Sequence, residues 1–257
     1  SKLEPLTERT ASVRLFPRKI VWDQPWLPRS APKFHLWLSS FFLNESPLPP
    51  ESLAQVLLSQ WKDHLEPESL IVMVEPALRD TSRKLLKLRE ALLQEFSARG
   101  MSDYQVLLPC LGHQACGALK VEDDWCHERI TWWRPEILKR LDLKTGLDHK
   151  TLDFSYLVIA RSQRSRPELL PKLGVGPHAR VISPVRDRSP DYEFFLCQNS
   201  GKSRARLSQG ALLKKSIHSE TLDRGSIFIA PQIRGDSQSQ RLEKFESLIS
   251  AESEEQP

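Results

Sequence analysis

The first ninety-nine residues of this chain contain no glycine; all ten of its glycines lie at Gly100 or later. That distribution removes one common way of building a nucleotide site. Doubly wound α/β folds that bind a cofactor need glycine where the first strand turns into its helix, because the backbone must approach the ligand closely there. The N-terminal part of the chain has no such turn, although its periodicities are those of an α/β sheet.

Phe34 to Leu43 is a compact apolar run with the pattern of a buried parallel strand, stopped at Asn44–Pro47. Pro50 and Glu51 open a helix whose apolar positions Leu53, Val56, Leu57, Trp61 and Leu65 keep helical spacing. Leu70 to Val74 predicts a second strand, Arg79 to Arg99 a long amphipathic helix ended by Gly100, and Tyr104 to Leu108 a third strand. Upstream, Val13 to Trp22 predicts one or two short strands around Pro17. Strands alternating with helices imply right-handed crossovers and a parallel sheet. The pattern resembles the later half of a class I methyltransferase, the part after the cofactor's glycine loop. That resemblance implies Ser39, Ser40, Asn44 and Glu45 at the edge of an S-adenosylmethionine site; strand termination and helix capping are the alternative roles for these types. S-adenosylmethionine could bind only if the missing N-terminal half of the sheet were supplied.

Three of the four cysteines fall between Pro109 and His127: Cys110, Cys116 and Cys126, with His113 and His127 among them. The fourth, Cys197, lies in Phe195-Leu196-Cys197-Gln198. No paired C-x2-C knuckle of the kind zinc ribbons favour is present. A four-iron cluster takes one thiolate per iron, so its ligands can arrive from separate loops, and four cysteines satisfy one. Zinc remains open, held by four thiolates or by three with His113 or His127. The tight C-x3-C-x2-C run usual in radical enzymes is absent.

These residues, with Asp124-Trp125-Cys126-His127, Arg129, Arg134-Pro135, Asp153 to Val158 and Arg224-Gly225-Ser226-Ile227, resemble the methyltransferase-like assembly factors of the small ribosomal subunit in bacteria and mitochondria. The resemblance covers roughly residues 34–235. It implies a [4Fe–4S] cluster on Cys110, Cys116, Cys126 and Cys197, and the small subunit with its rRNA as partner. The family's first motif usually reads Cys-Pro-His; here Leu111 and Gly112 separate Cys110 from His113, and Gly117 follows Cys116.

After the cysteine loop, Arg134 to Leu143 predicts a short helix, and Phe154 to Ala160 the sheet's last strand. Trp132 and Trp133 read as packing beside the centre, with base stacking as the alternative. His149 reads as an ordinary surface histidine.

From Arg161 to Lys215 there are twelve Lys/Arg against four Asp/Glu, a local excess of eight positive charges within a chain whose net charge is only +4. Strands predicted at Ala179–Val185, Tyr192–Cys197, Ser203–Leu207 and Ser226–Ala230 suggest a small antiparallel barrel or sandwich, by analogy a barrel of the oligonucleotide-binding type. Arg204 and Arg206 alternate along a strand and so share a face; with Arg161, Arg164 and Arg166 they are candidate RNA-binding residues. The remainder is expected to form a short helix and an acidic, frayed tail.

The expected fold is α/β. An α/β lobe, the C-terminal half of a doubly wound methyltransferase-like sheet, occupies residues 1–160 with the cysteine loop at 109–127. A basic small β domain follows over 161–235, then the tail at 236–257. No apolar run approaches the about 20 residues of a membrane span. The N-terminal residues lack the apolar core of a signal peptide, which points to a reducing compartment: cytoplasm, or mitochondrial matrix in a eukaryote. The expected function is a small-subunit assembly or translation factor that binds rRNA and carries the cluster. The alternatives are an S-adenosylmethionine-dependent rRNA methyltransferase and a zinc-bound structural module, and no catalytic residue is assigned.

Overall fold

A computed structural model describes residues 19–22, 24–215, 222–235 and 240–250. Of the strands expected over Val13–Trp22, the part before Lys19 lies outside the described residues, and Lys19–Trp22 forms no strand. The first unit contains β1 (Phe34–Ser40), α1 (Pro50–His64), β2 (Leu65–Pro76), α2 (Arg79–Ala98), β3 (Tyr104–Leu108), β4 (Glu128–Thr131), α3 (Glu136–Thr145) and β5 (Thr151–Arg161). Pro50 sits in the first turn of α1, where its missing N–H costs nothing, and Leu53, Leu57, Leu58 and Trp61 form its buried stripe. The α2 helix buries Leu85, Leu88, Leu92 and Phe96, and Gly100 adopts the left-handed conformation (φ +63°) that ends it. Truncating a core side chain such as Leu57 to alanine removes about 2–5 kcal/mol.

The strand order is β1-β2-β5-β3, with β4 paired to the far end of β5. β1 and β2 are parallel, as the crossover argument requires. β3 does not join β2, however. β5 lies between them, antiparallel to both, with Val72 opposite Val158 and Val106 opposite Ile159. The expectation of an all-parallel sheet is therefore corrected: the chain leaves β3 through the cysteine loop and returns along a long apolar strand that takes the central place.

A second correction concerns β1. The α1 and α2 helices pack on one face of the sheet, over Ile71, Met73, Val106, Leu157 and Ile159. The opposite face carries Leu36 and Leu38, which are 54% and 64% exposed, and β1 is the outermost strand rather than a buried one. Its apolar run reads like a buried strand because both of its faces are apolar, but only one is covered.

The second unit follows α4 (Arg166–Leu169), whose first turn is closed by Ser165 and Glu168 in a reciprocal cap. It consists of β6 (His178–Val181), β7 (Arg186–Arg188), β8 (Asp191–Gln198), β9 (Gly201–Ser208), α5 (Gln209–Leu213), β10 (Ile227–Ile229), β11 (Gln232–Gly235), β12 (Gln240–Lys244) and β13 (Ser247–Ile249). The strand path runs β11-β12-β9-β8-β6-β10-β13, with β7 on β8. Among the described residues this path is open and β12 runs parallel to β9, so the closed antiparallel barrel expected from the sequence is not what forms. The described part of the tail is also strand rather than helix. Leu242 and Phe245 are buried with Phe194, Leu196, Leu207 and Phe228, and that burial draws the segment into the second core.

Candidate metal centre

Two stretches of chain, the loop after β3 and strand β8, bring the four cysteines to the junction of the two units. Cys110 follows the end of β3, Cys116 precedes a short turn of helix at Gly117–Lys120, and Cys126 immediately precedes β4. Cys197 comes from β8, where it pairs with Arg180 of β6 on one side and Lys202 of β9 on the other. All four are free thiols. Burial raises the pKa of Cys116, and Cys110 raises it further. The Cys197 thiol is pushed up to about 11 by burial, then by Cys110 and Cys116. Cys126 is pushed higher still, by burial first and by Cys110 and Cys197 among its charged neighbours.

The sequence folds this way locally because glycine stands at the two points of closest approach. A side chain at Gly112 would strike Asn199, in the turn between β8 and β9. A Cβ at Gly117 would lie 2.7 Å from the backbone nitrogen of Lys202. The cysteine loop thus lies directly against the hairpin that carries Cys197, and Lys202 Nζ closes the contact on Asp124 at 2.5 Å.

A protein-family model described as mitochondrial small ribosomal subunit Rsm22 matches residues 28–220, which include every one of these cysteines. The chain belongs to the Rsm22 family. No curated protein matches the chain.

Around the Rsm22-family cysteines stand four arginines. Arg89 donates to Gly112 O at 2.6 Å and Gln114 O at 3.2 Å, and pairs with Glu90, which accepts the Cys116 N–H at 3.1 Å. Arg166 donates to Val106 O, Leu107 O and Cys110 O at 2.6, 2.9 and 2.7 Å, and to Leu111 O. Buried Arg180 pairs with buried Glu128 at 2.6 Å, and Arg224 donates to His127 O at 2.9 Å. Ser155 donates to Cys126 O at 2.8 Å. Backbone carbonyls of the loop at Cys110, Gly112, Gln114, Cys126 and His127 thus accept from side chains.

Among the described residues, no three His, Cys, Asp or Glu side chains stand where they could hold a metal ion. Burial lowers the pKa of both His113 and His127, so each is neutral near neutral pH. His127 stacks on Trp125, and His113 lines a separate cavity of about 750 Å³ with Phe96, Tyr104 and Gln105.

The other sequence-predicted residues lie apart. Ser39 is buried and accepts from Trp37 Nε1 at 2.8 Å. Ser40, Asn44 and Glu45 are exposed around the end of β1. The loop there is held from beneath by Glu75, which accepts from Phe42 and Leu43 N–H at 2.9 and 2.8 Å, and by Lys84 Nζ on Leu43 O at 3.0 Å. Burial raises the Glu75 pKa.

The five candidate RNA-binding arginines do not share one surface. Arg161 pairs with Asp103 and donates to Leu65 O, and Arg164 pairs with Glu68. Arg166 is committed to the cysteine loop. Arg204 and Arg206 do share a face of β9, half-exposed and both paired with Glu193 at 2.7 and 3.5 Å. Trp133 is exposed rather than packed, while Trp132 Nε1 donates to His149 O. His149 does more than sit on the surface: its ring closes on Asp142 at 2.5 Å, beside Arg134.

The roles of Arg89, Arg180, Arg224, Gly112 and Gly117 were missed from sequence. Gly112 and Gly117 stood inside the motif, and a Gly beside a ligand-type residue is the one signal that could have pointed to close backbone approach.

Proposed function

We propose that this chain works with the mitochondrial small ribosomal subunit in the matrix, as an assembly or translation factor that binds rRNA and carries a [4Fe–4S] cluster on Cys110, Cys116, Cys126 and Cys197. The observation that supports the reading is the contact of the loop carrying Cys110, Cys116 and Cys126 with the hairpin carrying Cys197, at Gly112 against Asn199 and Gly117 against Lys202. Four thiols are the full ligand set of one such cluster, and none of them belongs to a paired C-x2-C knuckle of the kind zinc ribbons favour. When bound, the group supplies a covalent tie between the two sheets and a potential one-electron couple. The protein's own residues hold the donors in place: Arg89, Arg166 and Arg224 through loop carbonyls, Gly112 and Gly117 through backbone contact with the hairpin.

RNA contact belongs to the second unit, on the β9 face of Arg204 and Arg206, as a phosphate-directed and salt-sensitive interaction. The first sheet is read as methyltransferase-like. Its uncovered β1 edge and face fit a sheet that continues beyond β1, and only such a continuation would make an S-adenosylmethionine site.

The test is elemental and acid-labile sulfide analysis of protein purified without oxygen. About four irons and four sulfides per chain are expected. Protein that binds neither, under conditions where the fold is intact, would sink the cluster assignment. RNA binding is tested by its salt dependence, where a flat response would remove the phosphate-contact argument.

A further inference from the structure

The charges around the four sulfurs do not balance. Arg89 has Glu90 and Arg180 has Glu128. Among the described residues, neither Arg166 nor Arg224 has a carboxylate within ion-pair distance; both are partly buried, and their guanidiniums end on backbone carbonyls of the cysteine segments. Glu128, which Arg180 already holds at 2.6 Å, also acts on Arg224, as does the exposed Asp153, itself held by Arg129 at 2.6 Å. Four guanidiniums therefore face two carboxylates in the junction. A cation held in a low-dielectric place without a counter-charge is costly, so an arrangement with two of them calls for an anion.

We infer that this junction is built to receive a centre of net negative charge, and that Arg166 and Arg224 supply its counter-charge. The inference rests on the four-cysteine reading above. Four thiolates around either a four-iron core or a single dication leave about two negative charges over, the size of the excess the arginines present. Arg166 has a second task, because its fork also shapes the Val106–Leu111 backbone that aims Cys110. The two tasks separate by substitution: lysine keeps the charge and loses the fork, while methionine loses both.

The experiment uses the full chain purified without oxygen, as wild type and as Arg166→Met, Arg166→Lys, Arg224→Met and Arg224→Lys. Two readouts are taken: midpoint potential by electron paramagnetic resonance titration, and the rate of iron loss to a chelator. Removing a positive charge disfavours the reduced, more negative form, so both methionine variants should shift to lower potential and release iron roughly tenfold faster or more. Both lysine variants should stay near the wild-type potential. Wild-type potential and wild-type release in both methionine variants would overturn the counter-charge role while leaving the cluster assignment intact. Wild-type protein loaded with zinc would defeat the cluster assignment instead, and the same variants' zinc release would then decide the counter-charge role. Protein that holds neither metal would overturn both.

Discussion

The arginines at the sheet junction and those on β9 are the same residue type in two different situations. Arg89 and Arg180 are buried against single carboxylates, and Arg166 and Arg224 against bare carbonyls, all within reach of the thiols. Arg204 and Arg206 are 50% and 52% exposed and share one carboxylate, Glu193, from which either could swing to a phosphate. In the junction the guanidinium is a structural part that substitutes for missing backbone hydrogen bonds. On β9 it is a loosely held charge. The excess of positive charge between Arg161 and Lys215 therefore divides between two situations, partly or fully buried in the junction at Arg166 and Arg180 and exposed on β9 at Arg204 and Arg206.

If that contrast is right, the largest effect comes from the interior. Arg180→Ala should cost about 3–5 kcal/mol by leaving Glu128 buried and unpaired, read from denaturant unfolding. A loss below about 1 kcal/mol, within the range of a surface pair, would put Arg180 in the same class as Arg204.

Next is the backbone contact that brings the two regions together. Gly117→Ala should destabilise by about 1–3 kcal/mol and open the junction to limited proteolysis, because the new Cβ meets the Lys202 backbone rather than a flexible side-chain end. An unchanged digestion pattern would mean that the loop and hairpin adjust freely.

On the exposed face, replacing both Arg204 and Arg206 with alanine should change stability by no more than about 0.5 kcal/mol. The same change should weaken RNA binding uniformly across sequences and reduce its salt slope by about 2. Retained affinity with an unchanged slope would remove β9 from the RNA interface.

The smallest effect is a pH signature of the same face. Arg204 and then Arg206 hold the Glu193 carboxyl below its ordinary value. The folded state therefore binds fewer protons there than the unfolded one. The stabilisation is fully present above the ordinary carboxylate pKa and fades as pH falls through the lowered value. Glu193→Gln should flatten the acid side of the stability profile at that point, and a variant with the wild-type profile would show that the carboxyl is not held at all.

Several elements were legible as written. The α1 stripe of Leu53, Leu57 and Trp61, the long α2, and β3 at Tyr104–Leu108 came from local periodicity and punctuation, which are properties of neighbouring residues. β1 was legible as a strand but not as an edge, since Leu36 and Leu38 read the same whether or not anything covers them. The place of β5 between β2 and β3, and the strands in the tail, depend on distant pairing partners. In the candidate site the four cysteines stood out by residue type, whereas their arginine surroundings come from α2, α4, β6 and the approach to β10, far apart along the chain.

Residue type and local spacing were thus enough to identify an α/β first unit, a basic strand-rich second unit and a family likeness, and to single out four cysteines. Which arginines became interior partners of backbone carbonyls, which glycines became points of contact, and which strand took the central place were decided when the two sheets met. Those outcomes depend on who lies across the junction, and burial, not sequence neighbourhood, determines whether a guanidinium is bound to a carbonyl or left facing water.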